Sequence, residues 1–130
     1  MKALTLLINL VMNLNKELSK IAEYFSPRII GEVNDVYIKL VKIKGDIVPW
    51  HNHKNEDELF YILKGSLVME IENKSPFKMN NGDLFVVEKG VNHRVRSEQE
   101  CHIMLIENKS TAHTGEIESE ITKTLNDQLY

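Results

Sequence analysis

The sequence predicts an all-β fold, a sandwich or barrel built from at least six short strands. Three observations carry this expectation. The apolar spacing changes from a helical period to a period of two after about residue 35. Turn signals then recur roughly every ten residues. The segments between them are rich in Val, Ile, Leu and Phe.

Taken in chain order, "MKALTLLINLVM" at the start is a short apolar leader. Thr5 and Asn9 interrupt it, no small-x-small cleavage site follows, and it falls well short of a membrane span. Leu14, Leu18, Ile21, Ala22 and Phe25 then fall on one face of a helix expected over 13–25. Ser26-Pro27 ends it, because proline disfavours helical geometry in the residue before it. "GEVND" reads as a loop. Strands are expected at Val36–Lys44, Glu58–Lys64, Leu67–Glu72, Leu84–Glu88, Val91–Ser97 and Cys101–Glu107. Gly45-Asp46 and Gly65-Ser66 are turns, and "NKSPF" and "NNGD" are loops. The tail from His113 is polar with scattered apolar residues and is expected as an arm or short helix. The organisation expected is therefore a leader and amphipathic helix (residues 1–32), a barrel (33–115) and a C-terminal arm (116–130).

The chain has 130 residues, enough for one domain with a substantial core. Its composition, 42% hydrophobic and 27% charged, is that of a globular protein. The net charge is only −3 and the basic residues are scattered, so the chain carries neither a nucleic-acid stripe nor a polybasic membrane patch. One cysteine, Cys101, precludes an internal disulfide and fits a reducing cytoplasm. It precedes the apolar run "HIMLIE", which predicts a buried, inert thiol.

The chemistry concentrates in "PWHNHKNEDE". Residues two apart on a strand face the same side, so His51 and His53 are expected to point one way. Glu58 opens the next strand on the same face as Phe60 and Ile62. A carboxylate aimed at an interior needs a compensating partner. A third imidazole, His93, shares its face with Val91 and Val95. Three imidazoles and one carboxylate suit a divalent transition metal (iron, manganese, nickel, cobalt or zinc) and leave coordination positions open.

These residues also carry a family resemblance. Gly45, His51, His53, Glu58 and Gly65 stand at the spacing G-x5-H-x-H-x4-E-x6-G, and Gly82, Gly90 and His93 match a second motif, G-x5-P-x-G-x2-H-x3-N. The chain resembles the cupins, small jelly-roll barrels also described as double-stranded β-helices. In the second motif Glu88 and Ser97 replace the proline and the asparagine, neither of them a ligand position. "WHNHKNEDELF" and "LIENKSTAHTG" are most similar to small single-domain cupins labelled mannose-6-phosphate-isomerase-like. The resemblance implies a metal at His51, His53, Glu58 and His93.

Other residues are weighed beside these. Phe60, Ile62, Phe85, Val87, Val91 and Val95 are expected to line the cavity or the barrel core. Glu56 and Asp57 are either acceptors for the ligating histidines or a solvated acidic loop. Trp50, Tyr61, Arg94 and Arg96 fall on the opposite faces. His102 is expected as a packed or exposed imidazole, and His113 as solvated. The leading expectation is a metal-dependent protein acting on a small polar molecule, as a dioxygenase or a sugar-isomerase-like enzyme. The alternative is a non-enzymatic module that binds or senses a small ligand. No residue stands out as a separate general acid or base. Pairing of two copies is expected, since the resemblance implies association through sheet edges or exchanged terminal strands, and the amphipathic helix needs a surface to cover, either its own barrel or a partner's.

Overall fold

The computed structural model describes residues 11–115 and 117–129. The leader therefore lies, up to Leu10, outside the described residues. The element order is α1 (Leu14–Ser19), β1 (Arg28–Val33), β2 (Val36–Gly45), β3 (Glu58–Lys64), β4 (Ser66–Ile71), β5 (Phe77–Asn80), β6 (Leu84–Val87), β7 (His93–Asn108) and α2 (Leu125–Gln128). Every strand pairing is antiparallel. The β-barrel expectation holds, and the jelly roll is organised by β7. Its first residues, His93–Arg96, pair with β4. Its later residues, from Cys101 on, lie between β2 and β3. One strand thus belongs to both sheets, and residues 93 and 107 sit on opposite walls of the same interior.

Alternation dictates the filling. Val41, Ile43, Phe60, Ile62, Met69 and Ile103 point inward and are nearly or fully buried. Each such side chain contributes about 1.5–3 kcal/mol when fully removed from water. The turn between β3 and β4 passes so close to β7 that only glycine fits. A Cβ on Gly65 would stand 2.6 Å from the Glu100 carbonyl oxygen, and its φ is +81°.

Several elements differ from expectation, each for a physical reason. Helix α1 stops at Ser19, not Phe25. Asn13 caps it by accepting from the Lys16 N–H at 3.0 Å. Its Leu18, with Ile21 beyond it, packs over Leu40 and Ile30 on the outside of the sheet. Phe25 then turns with φ +57° and enters the barrel core, which outweighs helical propensity. The stretch around "GEVND" is mainly strand: β1 pairs with β2, with a register shift between Ile29 and Gly31. β5 emerges from a stretch that looked like loop and pairs with β4. The two strands expected at 91–97 and 101–107 are one continuous β7. The C-terminal segment folds back: Ile121 enters the main core, and Leu129 packs with Ile29 and Tyr37.

Candidate metal centre

The two-histidine segment is not a strand. It is a loop pinned at one point, where His51 and His93 exchange backbone hydrogen bonds of 3.1 and 2.9 Å. His53 and Glu58 follow, the latter opening β3. All four side chains are buried, and their ligand-type atoms lie within 4.8 Å of one another. The structure therefore brings together the four residues of the sequence-based ligand set.

Local hydrogen bonds prepare the imidazoles. His51 Nδ1 lies 2.9 Å from the Pro49 carbonyl, and His93 Nδ1 lies 2.9 Å from the Val91 carbonyl. A carbonyl only accepts, so both Nδ1 atoms carry the proton and both Nε2 lone pairs face the site. Glu58 Oε1 lies 3.6 Å from His53 Nε2 and 3.4 Å from His93 Nε2. Neither atom finds a hydrogen-bond partner, and His53 Nδ1 has none either. Buried polar atoms left unpaired are costly, and a shared divalent cation would satisfy both Nε2 atoms together with the carboxylate. The donor set fits such an ion.

The site extends beyond what the sequence reading recognised. Glu107 on β7 is the direct cross-strand partner of Glu58 on β3. Like charges so placed repel unless compensated. Lys39, itself 2% exposed, supplies the compensation: its Nζ lies 2.6 Å from Glu107 Oε1 and also donates to Gln128 Oε1. Burial and the Glu58 charge push the Glu107 carboxyl well above its usual range. Burial works to raise the Glu58 carboxyl, but the neighbouring Glu107 side chain and the His53 and His93 imidazoles hold it well below its usual range. Glu107 was legible in principle. It follows Cys101, Ile103 and Leu105 on one face of a strand, as Glu58 shares its face with Phe60 and Ile62.

A cavity of about 60 Å³ adjoins His51, Glu58 and Glu107. Phe60 and Val95 line it, as expected. Ile62 and Val87 do not; both are sealed into the hydrophobic core. Phe85 and Val91 do not either, being only half-buried and packed against that core from its edge. Val41 and Ile43 of β2 and Ile103 and Leu105 of β7 add to the strand walls, and the rest comes largely from segments the alternation could not place: Phe25 and Pro27 ahead of β1, and His113, Thr114 and Ile121 behind β7. His113 is thus half-buried in the cavity wall, not solvated, and its Nδ1 accepts from the Lys123 N–H at 2.8 Å. Glu56 accepts from the Ser110 hydroxyl and Asp57 from the Lys89 N–H, so these acids fasten loops and orient no imidazole. Arg94 stacks over Trp50 at 4.6 Å and pairs with Glu70 on the outer face. Arg96 also pairs with Glu70, at 3.7 Å. His102 is buried, with Nε2 2.6 Å from Glu100.

Two further results are expected. Burial lowers the pKa of both His51 and His113 to about 4. Unfolded, each titrates near 6.5. Between these values the unfolded chain binds more protons, so stability falls as pH drops from about 6.5 to 4, by on the order of 3 kcal/mol per residue. Urea midpoints of metal-free protein check this, and a midpoint flat across that window would refute it. The second concerns Gly115, where a Cβ would stand 2.1 Å from the backbone oxygen of Asn52, between the two loop histidines. Gly115→Ala should therefore shift the loop and weaken metal affinity by about 10-fold or more, the scale of disturbed supporting contacts. Competition with a chromophoric chelator measures it.

Comparison with known proteins agrees with this picture. A family model described as a cupin domain matches residues 40–107. The chain belongs to the cupin family. It is 34% identical over 80 residues to the uncharacterized protein YdbB of Bacillus subtilis (strain 168), covering 62% of this chain and 70% of that one. The crystal structure of a cupin-2 domain protein from Shewanella frigidimarina superposes with TM-score 0.72 and 37% identity, over 75% of this chain and 94% of the other. A hydroquinone 1,2-dioxygenase in complex with Fe3+ shares the fold, with TM-score 0.70 and 17% identity, over 79% of this chain and 33% of the dioxygenase. Among the described residues of this cupin, no helix is long and apolar enough to cross a membrane.

Proposed function

We propose that this cupin holds one divalent transition metal (iron, manganese, nickel, cobalt or zinc) through His51, His53, Glu58 and His93, and that it binds or transforms a small molecule in the adjoining cavity. The observation that carries the reading is the convergence of four buried ligand-type atoms within 4.8 Å. The unpartnered Nε2 atoms of His53 and His93 support it. When bound, the ion would supply Lewis-acid polarisation of a ligand oxygen or, as iron, oxygen activation. The chain's own contribution is to fix two imidazole tautomers through Pro49 and Val91 and to shield the site with apolar walls. Glu107 and His113 are titratable groups on the wall of the same cavity, candidates for the acid–base partners that isomerisation needs. Oxygen-dependent chemistry of the dioxygenase type has its support in the donor set and in the shared fold with an iron-bound dioxygenase.

Elemental analysis after purification without chelator tests the metal. Oxygen uptake with thiols, diols and diketones then tests the activity. Iron with uptake supports a dioxygenase. Zinc or nickel with no turnover supports the second reading, a module that binds or senses its ligand. Less than about a tenth of an equivalent of metal would overturn both. We further propose that the protein works in the cytoplasm, supported by a lone buried cysteine, and that two copies associate. Leu84 and Val86 on the outer face of β6 are 57% and 40% exposed and stand beside Tyr61 and Leu59 of β3. Sedimentation velocity on the protein and on Leu84→Lys tests that association.

A further inference from the structure

The cavity beside the metal ligands selects by chemistry. Its volume, about 60 Å³, is far below the several hundred Å³ of a drug-sized pocket, so its ligand is small. Its wall is mostly apolar, with Phe25, Val41, Phe60, Leu105 and Ile121 among its members. Among the described residues, no lysine or arginine lines it. The cations that could have served are engaged elsewhere: Lys39 with Glu107 and Gln128, Arg94 and Arg96 with Glu70 on the outer face. A phosphorylated or multiply anionic ligand would find its counter-charge only at the metal, already half offset by Glu58, and the rest of its charge would lie against an apolar wall at a cost of several kcal/mol. At the polar end, Glu107 is 96% buried by its 4% exposure, and its Oε2 has no hydrogen-bond partner. A hydroxyl, which both donates and accepts, satisfies that oxygen whichever role it takes.

We infer that the ligand of this site is a small uncharged hydroxyl compound with an apolar body, its oxygen placed between the metal ligands and Glu107, and that phosphorylated sugars are excluded. This inference rests on the metal-site reading and narrows it. It departs from what a sugar-phosphate-isomerase likeness would lead one to expect, since such substrates need a basic anchor.

The test uses the full chain loaded with zinc, which is colourless and redox-inert, and takes metal content first. Phenol, mannose and mannose 6-phosphate are then titrated calorimetrically. Phenol should bind at least about tenfold more tightly than either sugar, and anisole, lacking the hydroxyl proton, about fivefold more weakly than phenol. Ile121→Trp, on the C-terminal segment outside the strands, fills the cavity. It should retain zinc and lose phenol binding by about tenfold or more. A protein that takes up no zinc overturns the metal reading and this inference with it. Zinc-loaded protein that prefers mannose 6-phosphate, or an Ile121→Trp variant that binds phenol as before, overturns this inference and leaves the metal site standing.

Discussion

Replacing His93 by alanine is expected to lower metal affinity by more than about 100-fold, and to do so without unfolding the barrel. The loss follows from the ligand set: removing one imidazole takes away a quarter of the donors, and changes to mere supporting groups already cost 10–100-fold. Retention of the fold follows from where His93 does its structural work. Its backbone N–H and carbonyl hold the His51 loop through the 2.9 and 3.1 Å bonds, and alanine keeps both. The side chain's other bond, from Nδ1 to the Val91 carbonyl, is local. Metal content by elemental analysis, beside a thermal melt of the metal-free proteins, reads out the two halves separately. An H93A protein that carries a full equivalent of metal would remove the foundation of the site. Arg94→Ala, one residue on and facing outward, is the natural control.

The second large effect concerns the buried pair behind the ligands. Lys39→Met should destabilise the fold by about 3–5 kcal/mol, the cost of stranding a buried charge without its partner. It leaves Glu107 and Glu58 facing each other with no cation from the chain between them and the solvent-free interior. Glu107→Leu should cost somewhat less, because it also relieves the repulsion with Glu58. The double variant Lys39→Met/Glu107→Leu should recover much of the loss, since an apolar pair of similar volume can replace a buried ion pair at little cost. Urea unfolding of the four proteins closes the cycle. Single variants within about 1 kcal/mol of the parent would show that the pair does not matter in the way its burial implies.

Much of this was legible before any coordinates. Of the four candidate ligands, Glu58 and His93 follow from the face of the strand each takes, because period-two alternation is a local property, whereas His51 and His53 lie on a loop and were legible only through their spacing. Gly65 was placed at its turn by composition, since glycine accepts the left-handed backbone found there. What was not legible depends on contacts distant in sequence. Nothing between Ser19 and Phe25 breaks a helix; the helix ends because Phe25 is worth more inside the barrel. β1 exists because β2 offers it a ladder, and its glycine disguised it as a loop. His113 sits in a polar stretch, and only the return of the C-terminal segment across the barrel gives it a wall to occupy. Glu107 lies between these cases. The alternation that singled out Glu58 applies equally to it, but a lone acid at a strand end carries no motif.

The chain's single thiol offers a practical handle. Cys101 stands opposite Ile43 in the ladder between β2 and β7, is fully buried, and has its pKa pushed up to about 12 by that burial. A disulfide reagent meets no reactive sulfur while that ladder stays closed, and the thiolate it needs forms only after opening. Labelling at one position per molecule therefore counts opening events directly, so the same protein, untagged, reports how often its barrel breathes and whether added zinc keeps it shut.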